Sequence, residues 1–135
     1  MEAIIKYAGG KVGDAYCSWT AVYNLRKAGI MVPRFGKARS WFDLTHTIWR
    51  AGRQVLGRLG PQPGDLLGFT WGHPDICHVE TLVGPWGTGP SVRAVGGNTG
   101  GGGALQREGE GVYENWRLKR LVAAAANVVD DPRYK

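Results

Sequence analysis

The sequence predicts an α+β domain in which N-terminal helices pack on a small antiparallel β-sheet. Two patterns carry that expectation. Apolar residues at helical spacing lie in the stretch that ends at Gly52, and short apolar runs bounded by Gly and Pro fill the chain after Pro61, without βαβ alternation. With 135 residues the chain has room for one compact domain. Its 22 Gly and 7 Pro make it rich in loops. That share stays below the roughly 25–30% at which disorder becomes the default, and 43% hydrophobic residues, with six Trp, five Tyr and three Phe, supply a core.

Taken in order, Glu2 to Ala8 reads as a short helix with Ala3, Ile4, Tyr7 and Ala8 apolar and Gly9-Gly10 as its stop. From Cys17 a second helix keeps Ala21, Val22, Leu25 and Ala28 on one stripe, and Gly29 terminates it. Ser40-Trp41-Phe42-Asp43 resembles a capping box, and Trp41, Leu44, Thr45, Ile48 and Trp49 recur at helical spacing as far as Gly52, which predicts a third helix with His46 on its polar side. Pro61-Gln62-Pro63-Gly64-Asp65 is a turn signal. Beyond it, strands are predicted at Leu66 to Trp71, Ile76 to Val83, Val92 to Val95, Val112 to Arg117 and Leu118 to Val122. The glycine-rich stretch from Gly96 to Gly103 lacks the Gly-Lys-Ser/Thr of a phosphate-cradling loop.

The formal charge of +6 and pI near 9.6 would attract a polyanion at long range. Arg117, Lys119 and Arg120 form a local knot, but the remaining basic residues are spread, and no nucleic-acid motif is visible. No apolar run approaches the ~18 residues of a transmembrane helix, and Ala3 to Ile5 is far shorter than a signal-peptide core. Synthesis in a cytoplasm without a signal peptide is the expectation. Two cysteines do not make a disulfide framework, so reduced thiols are expected.

Cys17 stands where a loop becomes a helix, and there the helix dipole and free N–H groups favour a thiolate and can hold an oxyanion. A small core thiol would look the same. His78 begins an apolar strand, where it can face a cleft. Cys77 should point the other way, so it is a poor partner for His78, and the scattered cysteines and histidines give little basis for a zinc site. A Cys/His pair needs a third group to orient the imidazole. Asn98, among glycines at a strand end, and Glu80, two residues from His78 on the same strand face, are the two candidates, and Asn98 is preferred.

These elements, in this order, resemble the CHAP and NlpC/P60 superfamily of papain-like cysteine peptidases and amidases. The resemblance lies in Tyr16-Cys17-Ser18-Trp19 opening a helix that ends Lys27-Ala28-Gly29-Ile30, in Pro63-Gly64-Asp65-Leu66-Leu67-Gly68-Phe69 leading into a strand, and in His78-Val79-Glu80-Thr81-Leu82-Val83-Gly84. It extends to Val95-Gly96-Gly97-Asn98-Thr99 and Gly109-Glu110-Gly111-Val112-Tyr113. The resemblance spans about Ala3 to Val122, so the catalytic domain is expected at 1–122, with 123–135 as a tail or linker. In two places the chain departs from the family pattern. Glu80 replaces the small residue usual after the His-Val pair, and Gly96 replaces the acidic residue often found two before the Asn, as though a carboxylate had moved to another strand.

The resemblance implies Cys17 as nucleophile, His78 as general base and Asn98 as imidazole orienter, hydrolysing an amide bond of bacterial peptidoglycan without metal or cofactor; Glu80, where the chain departs from the family pattern, is the alternative third member. Tyr16, Trp19 and Trp71 are expected to line the groove, and Asp14 to contact substrate or turn the loop. The expected setting is a phage lysin or virion-associated lytic domain, reaching the wall through a membrane lesion or from outside. It would act as a monomer, drawn by its charge to anionic wall polymers and not to nucleic acid. The competing expectation is a non-catalytic module on the same scaffold that binds wall glycopeptide or nucleic acid.

Overall fold

The computed structural model describes residues 16–43, 46–51, 53–54, 60–97 and 112–135. Among these, the protein is a small α+β structure with one α-helix and an antiparallel sheet. The helix predicted at Glu2 to Ala8 and most of the glycine-rich loop lie outside the described residues.

Helix α1 spans Tyr16–Lys27. It buries Ala21, Val22 and Leu25, three of the four positions of the predicted stripe, while Ala28 falls just past the last helical residue and is exposed. Gly29 ends it at φ +88°, with Ile30 N–H donating to Leu25 O at 2.9 Å and Gly29 N–H to Arg26 O at 3.0 Å. That pair of bonds is a Schellman termination, and Arg26 and Lys27 complement the helix dipole there.

The third helix predicted from Ser40 to Gly52 does not form. A 3-10 turn, Ala38–Phe42, buries Trp41 and Phe42, and strand β1 then runs Thr47–Arg50. Asp43 breaks the helical register between them. Its side chain accepts from His46 N–H at 3.0 Å, and its carbonyl accepts the Thr47 hydroxyl at 2.7 Å. Thr47, Ile48 and Trp49 are β-branched or aromatic and find a ladder partner that local spacing cannot reveal. His46 is consequently buried, not on a polar face, with Nε2 2.7 Å from the Tyr134 hydroxyl.

The other strands are β2 at Arg53–Gln54, β3 at Leu66–Phe69, β4 at His78–Leu82, β5 at Ser91–Gly97, β6 at Val112–Leu118 and β7 at Val122–Ala126. They form one seven-stranded antiparallel sheet in the order β2-β1-β7-β3-β4-β5-β6. The strand predicted at Leu118 to Val122 begins where it was expected to end, because a 3-10 turn at Lys119–Leu121 separates β6 from β7. Residues 123–135 are therefore not a tail in this structure. Ala124 to Ala126 are fully buried between β1 and β3, and Val128 and Tyr134 join the core. Alanine is a weak strand former, and its run hides a central strand whose Ala124 and Ala126 sit beneath the helix layer while Ala125 faces the opposite core.

One core lies between α1 and the sheet, joining Val22, Leu25, Trp41, Leu66, Val79 and Ala124. A second covers the opposite face, with Leu67, Phe69, Leu82, Val92 and Val122. The helix layer thereby fixes Cys17 relative to the strand that carries His78.

Candidate active site

Cys17 is the second residue of α1 and is buried, with its sulfur 4.0 Å from the Cys77 carbonyl oxygen. His78 opens β4, directly across from Phe69 on β3, and Glu80 lies across from Leu67. Alternation along β4 turns both polar side chains to one face. Nε2 of His78 lies 2.8 Å from Glu80 Oε2. The Cys17 thiol lies close enough to act on the imidazole and raise it. With Nε2 engaged on the carboxylate, Nδ1 is the nitrogen left for the thiol. Phe69 and Trp71 wall the ring at centroid separations of 5.8 and 5.7 Å.

Glu80 is only 2% exposed and carries a second charged partner. Arg117 on β6 grips it with both ends of its fork, Nε to Oε1 at 2.8 Å and Nη2 to Oε2 at 2.6 Å. The register that sets Thr81 against Val95 brings the carboxylate over β5 at Gly96. A Cβ there would fall 2.5 Å from Glu80 Cγ and 2.9 Å from Oε2. The absence of a side chain at 96 makes the space that Glu80 fills.

The electrostatics follow from these contacts. Burial works against a charged His78, but hydrogen bonds to Cys17 and Glu80 and their negative charges outweigh it, raising the imidazole to about 9. Burial likewise works against a charged Glu80, and His78 and Arg117 outweigh it, holding the carboxyl below its ordinary value. Burial and the proximity of Cys17 raise the exposed Cys77 thiol, which bonds to the Thr70 carbonyl at 3.2 Å. Cys77 is thus disfavoured as a nucleophile.

Cys17, His78 and Glu80 therefore come together, while Asn98 and Asp14 lie outside the described residues, as does the side chain of Tyr16. Trp19, expected to line a groove, is instead 8% exposed and belongs to the helix-side core, where a Cβ at Gly36 would lie 2.8 Å from its ring. Trp71 is 42% exposed beside His78, stacked on Phe69 at 4.7 Å with an interplanar angle of 11°. Its φ of +46° is an unusual conformation for a bulky residue, and it turns the indole out of the strand line. His73 sits in the exposed turn that follows. Among the described residues no group of three or more His, Cys, Asp and Glu is placed to hold a metal ion, and no helix is long and apolar enough to cross a membrane.

Sequence reasoning missed Arg117, which it counted only within a basic knot. Local sequence carries no signal for it, because the pairing that sets Arg117 opposite Val92 is tertiary information. The site is thus a cysteine–histidine–carboxylate cluster on an α+β scaffold. No protein-family model matches the chain, and neither does any curated protein.

Proposed function

We propose that the protein is a cysteine-dependent hydrolase that cleaves an amide bond of bacterial peptidoglycan, on a papain-like variant of the CHAP and NlpC/P60 architecture. The observation that carries this reading is the convergence of three groups: Glu80 bonds the His78 imidazole at 2.8 Å, and the Cys17 thiol at the start of the helix acts on the same ring and raises it. A helix bearing the thiol near its N-terminus packs on an antiparallel sheet whose strand opens with the histidine, which is the arrangement the sequence resemblance implies. The basic balance of the chain suits anionic wall polymers.

At neutral pH an imidazole titrating near 9 is protonated; the attacking species is the Cys17 thiolate, since the thiolate and not the thiol is the nucleophile. The thiolate forms a C–S bond to the amide carbonyl, and the carbonyl π electrons move onto oxygen, which the Cys17 N–H stabilises. Collapse breaks the C–N bond as the imidazolium gives its proton to the departing amine. Neutral His78 then takes a proton from water while the hydroxide adds to the thioester. Expulsion of the thiolate releases the carboxylic acid and restores the ion pair. Glu80 orients the ring and balances its charge throughout. A phage lysin or virion-associated lytic domain, acting as a monomer on the wall, is the setting we favour.

Cys17→Ala and His78→Ala should each lower muropeptide release from purified peptidoglycan at least ~1,000-fold while leaving the far-UV spectrum unchanged. Parent rates in both variants would reject a thiol mechanism and leave a non-catalytic wall-binding module. Between the two orienter candidates, Glu80→Ala should cost more than Asn98→Ala. Mass spectrometry of the released termini identifies the bond cleaved.

A further inference from the structure

We propose that Arg117 is a positioning residue of this site, acting through Glu80 to hold the His78 imidazole in its working orientation; this rests on the hydrolase reading above. Four observations converge. Arg117 reaches Glu80 from β6, across β5, with two donors in the fork geometry that suits a carboxylate, at 2.8 and 2.6 Å. The carboxylate so gripped is buried and makes the 2.8 Å contact to His78 with Oε2, the same oxygen that receives Arg117 Nη2. Gly96 leaves the carboxylate its seat, since any Cβ at that position would collide with it. Finally, Arg117 is itself held in place, with its guanidinium 6.0 Å from the Phe69 ring centroid and 5.4 Å from that of Trp71.

The physical need is specific. A glutamate has three side-chain torsions, and an imidazole hydrogen bond fixes only one oxygen. Without a second anchor the carboxylate could rotate away, and the ring would lose its tautomer and orientation. A bidentate guanidinium removes that freedom and compensates a buried negative charge that His78 alone would have to balance. Lysine offers one point charge where arginine offers a planar fork, so the two are not equivalent here.

The test compares the full chain with Arg117→Lys and Arg117→Met, recording kcat and KM for muropeptide release as functions of pH, together with the ¹³C carboxyl titration of Glu80. Arg117→Met should lower kcat by about 10- to 100-fold, the range typical of groups that orient a catalytic ligand, with KM nearly unchanged. The acidic limb of kcat and the Glu80 titration should both move to higher pH, because the carboxylate loses its cation but stays buried. Arg117→Lys should fall between the two. A rise in KM with unchanged kcat would overturn the proposal by making Arg117 a substrate contact. A twofold or smaller change in kcat with an unmoved Glu80 titration would overturn it by making Arg117 merely structural. If Arg117→Met does not fold, Arg117→Lys decides, since parent kcat and an unmoved acidic limb there would overturn the role of the fork. If these variants behave as expected while Cys17→Ala stays active, the hydrolase mechanism fails and the Arg117–Glu80 linkage survives.

Discussion

At the scale of single residues, the site depends on an exchange between two neighbouring strands. Glu80 carries a buried carboxylate on β4, and Gly96 on β5 yields the space. The carboxylate cannot swing aside to admit a methyl group, because it is bonded to both His78 and Arg117. Gly96→Ala should therefore cost about 1–3 kcal/mol of stability, the usual penalty of overpacking, and reduce activity with it. In a Glu80→Ala background, already weakened by the loss of the buried ion pair, adding Gly96→Ala should cost little further stability, since the clashing atoms are gone, and both proteins should remain poorly active. Chemical denaturation of the two variants separates packing from chemistry. A Gly96→Ala protein as stable and as active as the parent would show that Glu80 is not pinned. Cys17, His78 and Glu80 were all legible as candidates from local sequence, through the helix start and the two-residue alternation of a strand. Arg117 was not, because its relation to Glu80 is created by the register of β5 with β6, and no local pattern encodes that register.

At the scale of elements, the same distinction separates what local physics dictates from what packing decides. Helix α1 could be read because its apolar stripe, its basic last turn and Gly29 all favour one outcome. The segment after Ser40 could not. Its apolar residues suit a helix or a strand, and the ladder with β7 selects the strand. Strand β7 itself is hidden by alanines, whose low strand preference made 123–135 look dispensable. The C-terminal segment is in fact a clasp. Tyr134 is buried, its carbonyl accepts Met31 N–H at 2.7 Å, and its hydroxyl meets His46 Nε2 at 2.7 Å. Tyr134→Ala should destabilise the protein by roughly 3–5 kcal/mol, as for other buried aromatics cut to alanine. A true tail would show almost no change in denaturation midpoint, so one measurement discriminates the two.

At the scale of the whole molecule, the charged cluster makes stability depend on pH in a direction fixed by its contacts. His78 rises from an ordinary 6.5 to about 9 on folding. Its charged form is therefore favoured by the native state, and that contribution is complete below 6.5 and lost as pH climbs through 9. Glu80 is lowered from 4.5, so its contribution is present above 4.5 and lost as pH falls through the folded value. The cluster consequently stabilises the fold most between 4.5 and 6.5. Within the alkaline window the parent should lose stability with a slope of up to about 1.4 kcal/mol per pH unit, the limit for one proton. His78→Ala should remove that slope while leaving the rest of the profile in place. Under the proposed mechanism activity should also fall as pH rises through about 9, because the imidazolium that would protonate the leaving amine is then gone. Stability and rate would thus share one alkaline limb, set by one proton. Denaturation midpoints across this range, for parent and His78→Ala, check the linkage without any substrate. An unchanged alkaline slope in the variant would mean that the proton belongs to another group and that the Cys17–His78–Glu80 contacts do not hold charge as their geometry requires.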